Sequence, residues 1–244
     1  MAGETIRTEA VCLDIRPWSR TSHVVTWLTP NGKVGTVVKG AVRPKSAFLG
    51  QYDLNYTCDI LYYARAKGEL HALRDCVPLD LRESLRGDYR ALALAGYFRQ
   101  LVNELAPSGP DCRPWYDLLS STLSTLSTSS TISTSSTIST SSPPSTLVLF
   151  ELKVLELSGL KPDFSGYDRK AEWSAFSIET GTFSEGAGRC IRLSREVSAW
   201  LERPDRLVKN PQVPLDAAWA IGVFYKFHLD CAPETRRSVL GMIS

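Results

Sequence analysis

The segment His23–Lys39, HVVTWLTPNGKVGTVVK, determines the fold of the N-terminal region. Two runs of β-branched and apolar residues flank the turn Thr29-Pro30-Asn31-Gly32, an arrangement that is typical of a β-hairpin. Further strand-like runs lie on both sides of it, at Thr5–Leu13, Tyr52–Tyr63 and Glu69–Cys76. Five short strands separated by Gly and Pro predict a small closed barrel, and five is the strand number of an OB-fold. Other small barrels fit the same pattern.

The hydrophobic pattern becomes helical after residue 78. Apolar residues recur at steps of three and four, which predicts helices. We therefore predict an α+β protein, with an N-terminal five-stranded OB-fold β-barrel at residues 1–78 and a mainly α-helical domain at 79–244. A hairpin is predicted through Ala175–Phe183, within a polar region of about residues 163–190. The helical patterns lie at Asp80–Leu105, from about Pro114, from Pro143, at Ser194–Leu201 and at Leu215–Asp230.

A low-complexity insertion interrupts the helical region at about residues 120–146. Of these 27 residues 21 are Ser or Thr, and the hexamer TISTSS occurs twice in tandem. Ser and Thr compete with helical hydrogen bonding, and the sparse Leu and Ile residues cannot offset the entropy of ordering. We predict an insertion without regular structure and assign it no function.

The composition is that of an ordinary globular chain. The 244 residues include 28 Lys+Arg and 26 Asp+Glu. No apolar run approaches the roughly 20 residues of a membrane span, and the N-terminus lacks a signal-peptide pattern. We therefore expect a cytoplasmic protein without a membrane partner. The six cysteines form no C-x-x-C pair, so buried, reduced thiols are expected.

The sequence lacks the usual catalytic motifs. It contains no G-x-S-x-G, H-E-x-x-H, Walker A or strand-associated G-x-G-x-x-G motif. Its three histidines lie in strand or apolar helix patterns, where a packed histidine is the common case. We therefore predict that the protein is not an enzyme. An active site assembled from distant residues is the alternative.

Charge is concentrated in one segment. Six basic residues and no acidic one lie between Ile15 and Tyr52, whereas the rest of the chain holds 22 basic and 26 acidic residues. This asymmetry indicates a polyanionic partner, although a solvated Lys/Arg-rich surface would give the same pattern. The predicted phosphate contacts are Arg16, Arg20, Lys33, Lys39, Arg43 and Lys45.

Aromatic residues lie among these cations. Basic groups that follow a phosphate backbone, together with rings on which bases stack, are typical of single-strand binding. Strand alternation places Lys33 and Lys39 on one face, so they are expected to project together. The alternative is that the rings belong to the core, which is the favoured interpretation for Trp27. The aromatic residues are Trp18, Trp27, Phe48 and Tyr52.

The order of several short motifs resembles the bacterial recombination mediator family RecO. The similarity covers nearly the whole chain except the Ser/Thr insertion. The matching stretches are Arg16-Pro17, HVVTWLT, Lys39–Ser46 (KGAVRPKS), Lys67–Leu70 (KGEL), Ala95-Gly96-Tyr97, Phe150-Glu151-Leu152 and Thr235–Leu240 (TRRSVL).

This resemblance implies a non-enzymatic protein of DNA repair and recombination. Proteins similar to it bind and anneal single-stranded DNA, act with RecR in the RecFOR pathway, and help RecA replace SSB. The resemblance thus gives single-stranded DNA, RecR and the SSB C-terminal tail as partners, double-stranded DNA as a further ligand, and a cytoplasmic, nucleoid-associated location. The rivals are an OB-fold RNA-binding protein and a non-catalytic interaction scaffold.

Many RecO relatives hold a zinc ion with two cysteine pairs, and this sequence departs from that pattern. The first pair would fall near Asp163–Gly166, which has no Cys, and the second near Cys190–Leu193, which has one. A tetrahedral zinc site needs four ligands. We predict no metal and no cofactor, with Cys190 as an isolated remnant or a core residue.

A second basic cluster lies near the C-terminus. In the resembled family, the helical region receives the acidic, hydrophobic SSB tail. Lys226, Arg236 and Arg237 are therefore candidate partner-binding residues. Basic residues that complement a helix C-terminus are the alternative interpretation.

Overall fold

The computed structural model describes residues 4–65, 68, 70–131, 142–184, 188–204, 209–229 and 235–243. The chain divides into two compact units, Met1–Thr134 and Ser135–Ser244. Among the described residues, the first unit contains five strands and two α-helices, and the second contains a small sheet and four α-helices.

A closed five-stranded barrel forms the centre of the first unit. Its neighbour order is β1-β2-β3-β5-β4, and β4 returns to β1. The β3–β5 pair is parallel and the other neighbours are antiparallel. This arrangement confirms the predicted OB-type barrel. The strands are β1 (Thr5–Ser19), β2 (Ser22–Thr29), β3 (Gly32–Val38), β4 (Thr57–Tyr63) and β5 (Leu70–Asp80).

The long strand β1 closes the barrel because it pairs with two neighbouring strands. Its first half, Thr5–Val11, pairs with β4, and its second half pairs with β2 as far as Ser19. The register with β2 shifts between Cys12 and Asp14. Such an irregularity bends a strand and increases its twist, which allows β1 to pass from one side of the barrel to the other.

The barrel interior is apolar and contains one anchored indole. Trp27 is fully buried, and its Nε1 donates a hydrogen bond to Thr36 Oγ1 at 2.8 Å. A buried indole N–H needs such a partner, so the pair fixes the β2–β3 hairpin from within. The prediction that Trp27 belongs to the core is confirmed. The other core residues are Ala10, Cys12, Val25, Val38, Ala41, Tyr56, Cys58, Ile60, Tyr62, Leu73 and Cys76.

Two helices belong to the same unit as the barrel. They are α1 (Tyr89–Leu105) and α2 (Arg113–Thr131), and a 3-10 helix (Glu83–Gly87) precedes α1. The Asp88 side chain caps α1 by accepting from two backbone N–H groups. On α2, the Tyr116 hydroxyl donates to Glu9 Oε1 at 2.6 Å, which connects this helix to β1.

Helix α2 corrects the prediction for the start of the Ser/Thr insertion. The helix pattern from about Pro114 includes Leu123 and Leu126 and was expected to end there, but α2 continues to Thr131. Leu119, Leu123 and Leu126 are buried at helical spacing, and their burial stabilises the helix. Several hydroxyls donate back to carbonyls four residues earlier, as Thr122 does to Leu118 at 2.7 Å. Residues 132–141 lie outside the described residues.

The second unit combines helices with a three-stranded sheet in the order β7-β6-β8. The predicted hairpin is confirmed by the antiparallel β6–β7 pair, whereas the third strand, β8, was not predicted. Gly181 lies in the hairpin turn with φ +68°, and a Cβ there would approach Phe224 to 3.3 Å. The elements are α3 (Pro143–Leu157), β6 (Trp173–Ser177), β7 (Thr182–Phe183), β8 (Cys190–Ser194), α4 (Arg195–Glu202), α5 (Gln212–His228) and α6 (Thr235–Ile243).

Within the described ranges, no helix has the length and apolarity required to cross a membrane. Four cysteines are free and buried, as predicted, namely Cys12, Cys58, Cys76 and Cys112. Cys190 is free and exposed, so its interpretation as a core residue is wrong. Cys231 lies outside the described residues.

Candidate nucleic-acid interface

One end of the barrel forms a cleft of about 470 Å3, which we call the barrel-end cleft. It lies between the β1–β2 turn and the start of the β3–β4 loop. Two hydrogen bonds join these segments, from Val42 N to Thr21 O at 3.3 Å and from Gly40 N to Ser22 Oγ at 3.2 Å. The lining residues, none of them acidic, are Trp18, Ser19, Thr21, Ser22, Val37, Lys39, Gly40 and Arg43.

Gly40 shapes this cleft through its backbone. Its φ is +68°, a conformation that favours glycine. A Cβ at this position would lie 3.3 Å from Arg43 Cδ. The absence of a side chain therefore lets the Arg43 side chain lie against the Gly40 backbone.

Trp18 is the exposed aromatic residue of the cleft. Of its surface, 61% is accessible, whereas Trp27 is fully buried. Phe48 and Tyr52 pack against the barrel core, and the Tyr52 hydroxyl lies 2.8 Å from His23 Nδ1. Of the four predicted aromatic residues, only Trp18 is therefore placed to stack on a base at this end of the barrel.

Four of the six predicted phosphate contacts lie at or next to this cleft. Lys39 and Arg43 line it. Arg20 is exposed in the β1–β2 turn, and Lys45 is exposed in the same loop as Arg43. Arg16 is exposed on β1 but does not line the cleft, and its Nε donates to Asp14 Oδ2 at 2.5 Å.

Lys33 has a different environment. It is half-buried, and its Nζ donates to the backbone carbonyl of Asn103 in α1 at 3.1 Å. Burial lowers the pKa of Lys33 below its ordinary value. Because Lys33 and Lys39 are six residues apart, they lie about 20 Å from one another along the strand direction. The expectation that they project together is wrong, because the Lys33 ammonium group is bound to α1 whereas Lys39 lines the barrel-end cleft.

The three residues of the C-terminal basic cluster differ in their exposure. Arg236 is buried and forms two hydrogen bonds to the Glu151 carboxylate, at 2.6 and 2.8 Å. The prediction that Arg236 contacts a partner at the surface is wrong, because this guanidinium joins helices inside the second unit. Lys226 and Arg237 are exposed.

No metal centre is found among the residues that the structure describes, since no group of three or more His, Cys, Asp or Glu side chains could hold an ion. Cys190 is exposed at the start of β8, and the stretch Asp163–Gly166 supplies no second thiol. The residues present do not fit a four-ligand zinc site.

Some features of the barrel-end cleft were not predicted from the sequence. The lining hydroxyl residues Ser19, Thr21 and Ser22 were not predicted as site residues. Their position at the turn between two strands was the available signal, because hairpin ends at the mouth of a small barrel are common ligand sites.

The barrel and its cleft define a class of protein. A closed barrel with this strand order and a cationic, aromatic cleft at one end is an OB-type nucleic-acid-binding architecture. Residues 1–82 match the family model described as Recombination protein O N terminal, and residues 86–230 match Recombination protein O C terminal. The chain therefore belongs to the RecO family.

Curated relatives carry the same family name. The chain is 28% identical over 183 residues to the DNA repair protein RecO of Alkaliphilus metalliredigens, covering 72% of this chain and 69% of the relative. It is 28% identical over 191 residues to the DNA repair protein RecO of Roseiflexus sp., covering 78% of this chain and 62% of the relative. With the DNA repair protein RecO of Geobacter metallireducens the identity is 33% over 124 residues, which cover half of each chain. The family is one of DNA repair proteins.

Proposed function

We propose that this protein is a mediator of DNA repair and homologous recombination that binds single-stranded DNA in the barrel-end cleft. The observation that carries the proposal is the exposed Trp18 indole in a cleft with Lys39 and Arg43 and without a lining carboxylate. The cations bind backbone phosphates while the indole stacks on a base. Arg20 and Lys45 extend the phosphate contacts beyond the cleft. Arg16 stays a prediction. Lys33 is not included among the proposed contacts, because its ammonium group donates to the Asn103 carbonyl.

Annealing follows from charge neutralisation. Two DNA strands repel one another, and a cationic surface that binds both lowers this repulsion while the bases search for partners. This activity needs no nucleophile, metal or cofactor, and we propose that the protein is not an enzyme. Double-stranded DNA would bind to the same cations more weakly, because its bases are not free to stack on Trp18.

The first experiment measures binding of a fluorescent oligothymidylate by anisotropy. Trp18→Ala is expected to lower the affinity about tenfold, the effect of losing one stacked base. Lys39→Gln/Arg43→Gln is expected to lower it further and to reduce its dependence on salt. The matched control is Lys153→Gln/Lys161→Gln, which removes two exposed cations from the second unit. Equal affinity of all variants would contradict the proposed site.

The same titration with RNA tests the main rival. An OB-type cleft with stacking and phosphate contacts accepts either polymer unless it reads the 2′-hydroxyl. A RecO function predicts at least equal affinity for DNA. A strong preference for RNA would favour the RNA-binding alternative, and loss of binding to both would favour the interaction scaffold.

We place the protein, within the same proposal, in the RecFOR pathway in the cytoplasm, close to the nucleoid. There it acts with RecR and helps RecA replace SSB on single-stranded DNA. Annealing of complementary strands with and without SSB coating is the functional readout. Annealing that is blocked by SSB in the presence of RecR would contradict this role.

The acidic, hydrophobic SSB tail is proposed to bind to the second unit. Trp219 and Lys226 are both exposed and lie two turns apart on one face of α5. An indole and an ammonium group on one face suit a peptide with apolar and acidic side chains. A fluorescent tail peptide should bind Lys226→Ala/Arg237→Ala several-fold more weakly than the native protein. Equal affinity of the variant and the native protein for the peptide would show that Lys226 and Arg237 do not contact it.

A further inference from the structure

A second cleft in the first unit is lined by three arginines, and we call it the arginine cleft. Its volume is about 420 Å3. It lies where the end of the β3–β4 loop, the 3-10 helix and α1 meet, and it shares no lining residue with the barrel-end cleft. The lining residues are Asp53, Leu54, Asn55, Tyr56, Leu81, Arg82, Leu85, Arg86, Leu92, Gly96 and Arg99.

Arg82 contributes a buried guanidinium with unused hydrogen-bonding capacity. Its side chain is 2% exposed, and its Nη1 donates to the backbone carbonyl of Asn55. The Nε is buried without a hydrogen-bond partner. Asp80 Oδ2 lies 3.5 Å from it and forms an ion pair that does not meet hydrogen-bond geometry.

Arg99, which lies on α1, also has unused hydrogen-bonding capacity. Its Nη1 donates to the backbone carbonyl of Leu13, and its Nε is also buried without a partner. Buried polar groups are nearly always hydrogen-bonded, so the two Nε–H groups without an acceptor leave Arg82 and Arg99 with unused donor capacity beside the cleft. The Asn55 Oδ1 atom is also buried without a partner, but as an acceptor it does not favour an anion.

Arg86 adds a more accessible guanidinium. More than half of its side chain is exposed, and its Nη2 donates to Asp53 Oδ2 at 3.0 Å and to the Tyr56 hydroxyl at 2.8 Å. The Tyr56 ring lies under the guanidinium at 5.7 Å. These contacts hold Arg86 at the mouth of the cleft.

The backbone here is strained at two lining residues. Asn55 has φ +67° and Arg82 has φ +47°, both in the left-handed region that non-glycine residues rarely adopt. The Arg82–Asn55 hydrogen bond joins these two residues directly. Strain of this kind is concentrated at ligand-binding sites.

The carboxylates near the cleft compensate the charges of Arg82 and Arg99 only in part. Asp53 and Asp80 are each about half exposed. Asp14, which interacts with Arg99, accepts from Arg16, and Glu9, which interacts with Arg82, accepts from the Tyr116 hydroxyl. Burial lowers the pKa of both Arg82 and Arg99. A bound anion would offset this desolvation.

We propose that the arginine cleft is an anion site that binds a phosphate group. Arg82, Arg86 and Arg99 all line it, and three guanidinium groups around one cleft suit a tetrahedral oxyanion with several acceptor oxygens. The phosphate comes either from free inorganic phosphate or from the backbone of a nucleic acid. The site does not depend on the barrel-end cleft.

Gly96 offers a test that leaves every arginine in place. It lines the cleft from α1, and a Cβ at Gly96 would have no neighbour within 4 Å. Gly96→Leu therefore fills the cleft and also raises helix propensity, so the variant is expected to fold. Its affinity for inorganic phosphate, measured by calorimetry against chloride at equal ionic strength, should fall at least about tenfold. Gly96→Ala should bind like the native protein.

Charge is tested separately with Arg99→Gln. Loss of one charge-assisted contact should lower phosphate affinity about tenfold. Arg90→Gln is the matched control, because Arg90 is exposed on the same helix outside the cleft. Absence of saturable phosphate binding by the native protein, or native affinity in both Gly96→Leu and Arg99→Gln, would overturn the proposal.

An oligothymidylate arm distinguishes the two phosphate sources. If the ligand is a nucleic-acid phosphate, Gly96→Leu weakens oligonucleotide binding as well. If it is free phosphate, Gly96→Leu retains native oligonucleotide affinity. Lys39→Gln/Arg43→Gln should retain phosphate binding in either case, so failure of the barrel-end proposal and failure of the arginine-cleft proposal give different results.

Discussion

Both oxygens of the buried Glu151 carboxylate accept hydrogen bonds from Arg236, from Nε at 2.6 Å and from Nη2 at 2.8 Å. The same guanidinium donates to the backbone carbonyl of Ala218 at 2.6 Å. One side chain of α6 therefore connects α3 and α5. Gly222 of α5 permits this arrangement, because a Cβ there would collide with the guanidinium.

Replacement of Arg236 by Gln should destabilise the second unit. The variant leaves the Glu151 carboxylate buried without its cation, and breaking a buried pair in this way costs about 3–5 kcal/mol of the free energy of unfolding. Urea unfolding followed by circular dichroism measures the loss. Arg237→Gln is the neighbouring control and should change the free energy by about 0.5 kcal/mol or less. Equal urea midpoints for the two variants would contradict a structural role for Arg236.

Lys33 and Lys39 should differ in what their removal affects. Lys33→Met is expected to leave oligothymidylate affinity unchanged, because the Lys33 ammonium group donates a hydrogen bond to the Asn103 carbonyl. Lys39→Met is expected to weaken binding, because Lys39 lines the barrel-end cleft. The two variants make the same chemical change near opposite ends of β3, Lys33 within the strand and Lys39 directly after it, and anisotropy compares them directly. A larger loss of affinity for Lys33→Met would contradict DNA binding at the barrel-end cleft.

Arg43→Ala/Lys45→Ala should reduce the salt dependence of DNA binding. Each phosphate contact releases counterions, so the slope of log affinity against log salt should fall by about one unit per lost contact. Titrations at several sodium chloride concentrations give the slope. Lys153→Ala/Lys161→Ala should keep the native slope, and an unchanged slope in the Arg43/Lys45 variant would exclude this loop as a phosphate-binding segment.

The purified protein should contain far less than one zinc per chain. A stable site needs four N, S or O ligands, and the described residues contain no group of three or more His, Cys, Asp or Glu side chains that could hold a metal ion. Elemental analysis after purification without chelator provides the measurement, and treatment with a chelator should leave the unfolding midpoint unchanged. One equivalent of zinc would refute the prediction.

Tyr52 should make stability depend on pH in the alkaline range. Burial, with smaller contributions from Cys12 and Cys76, raises its pKa from 10.0 to about 12. The unfolded chain releases this proton at lower pH than the folded chain, so the stabilisation is complete below about pH 10 and is lost as the pH rises toward 12. The free energy of unfolding of the native protein should therefore fall relative to that of Tyr52→Phe over this range. A constant difference would mean that Tyr52 titrates normally.

The local patterns predicted most of the barrel. The turn Thr29–Gly32 and the runs of β-branched residues on both sides specify the β2–β3 hairpin, since turn chemistry and alternation act over a few residues. The clustering of cations before Tyr52 likewise indicated the segment that forms the barrel-end cleft.

Sequence patterns could not predict the contacts between distant segments of the chain. The burial of Arg236 depends on Glu151, 85 residues earlier, and the position of Lys33 depends on α1, 70 residues later. Strand alternation places a side chain on a face but does not tell what covers that face. The arginine cleft was missed for the same reason, because Arg82 and Arg99 meet only after α1 packs against β1.

The contacts between the barrel and its two helices determine where a fragment can be cut. Leu13 receives a hydrogen bond from Arg99, Glu9 receives one from Tyr116, and Gly32 lies against the carbonyls of Ser108 and Gly109. A polypeptide that stops near the end of β5 would lose all of these neighbours. Spectroscopy or crystallisation of the barrel without the second unit should therefore use a fragment that extends through Thr131.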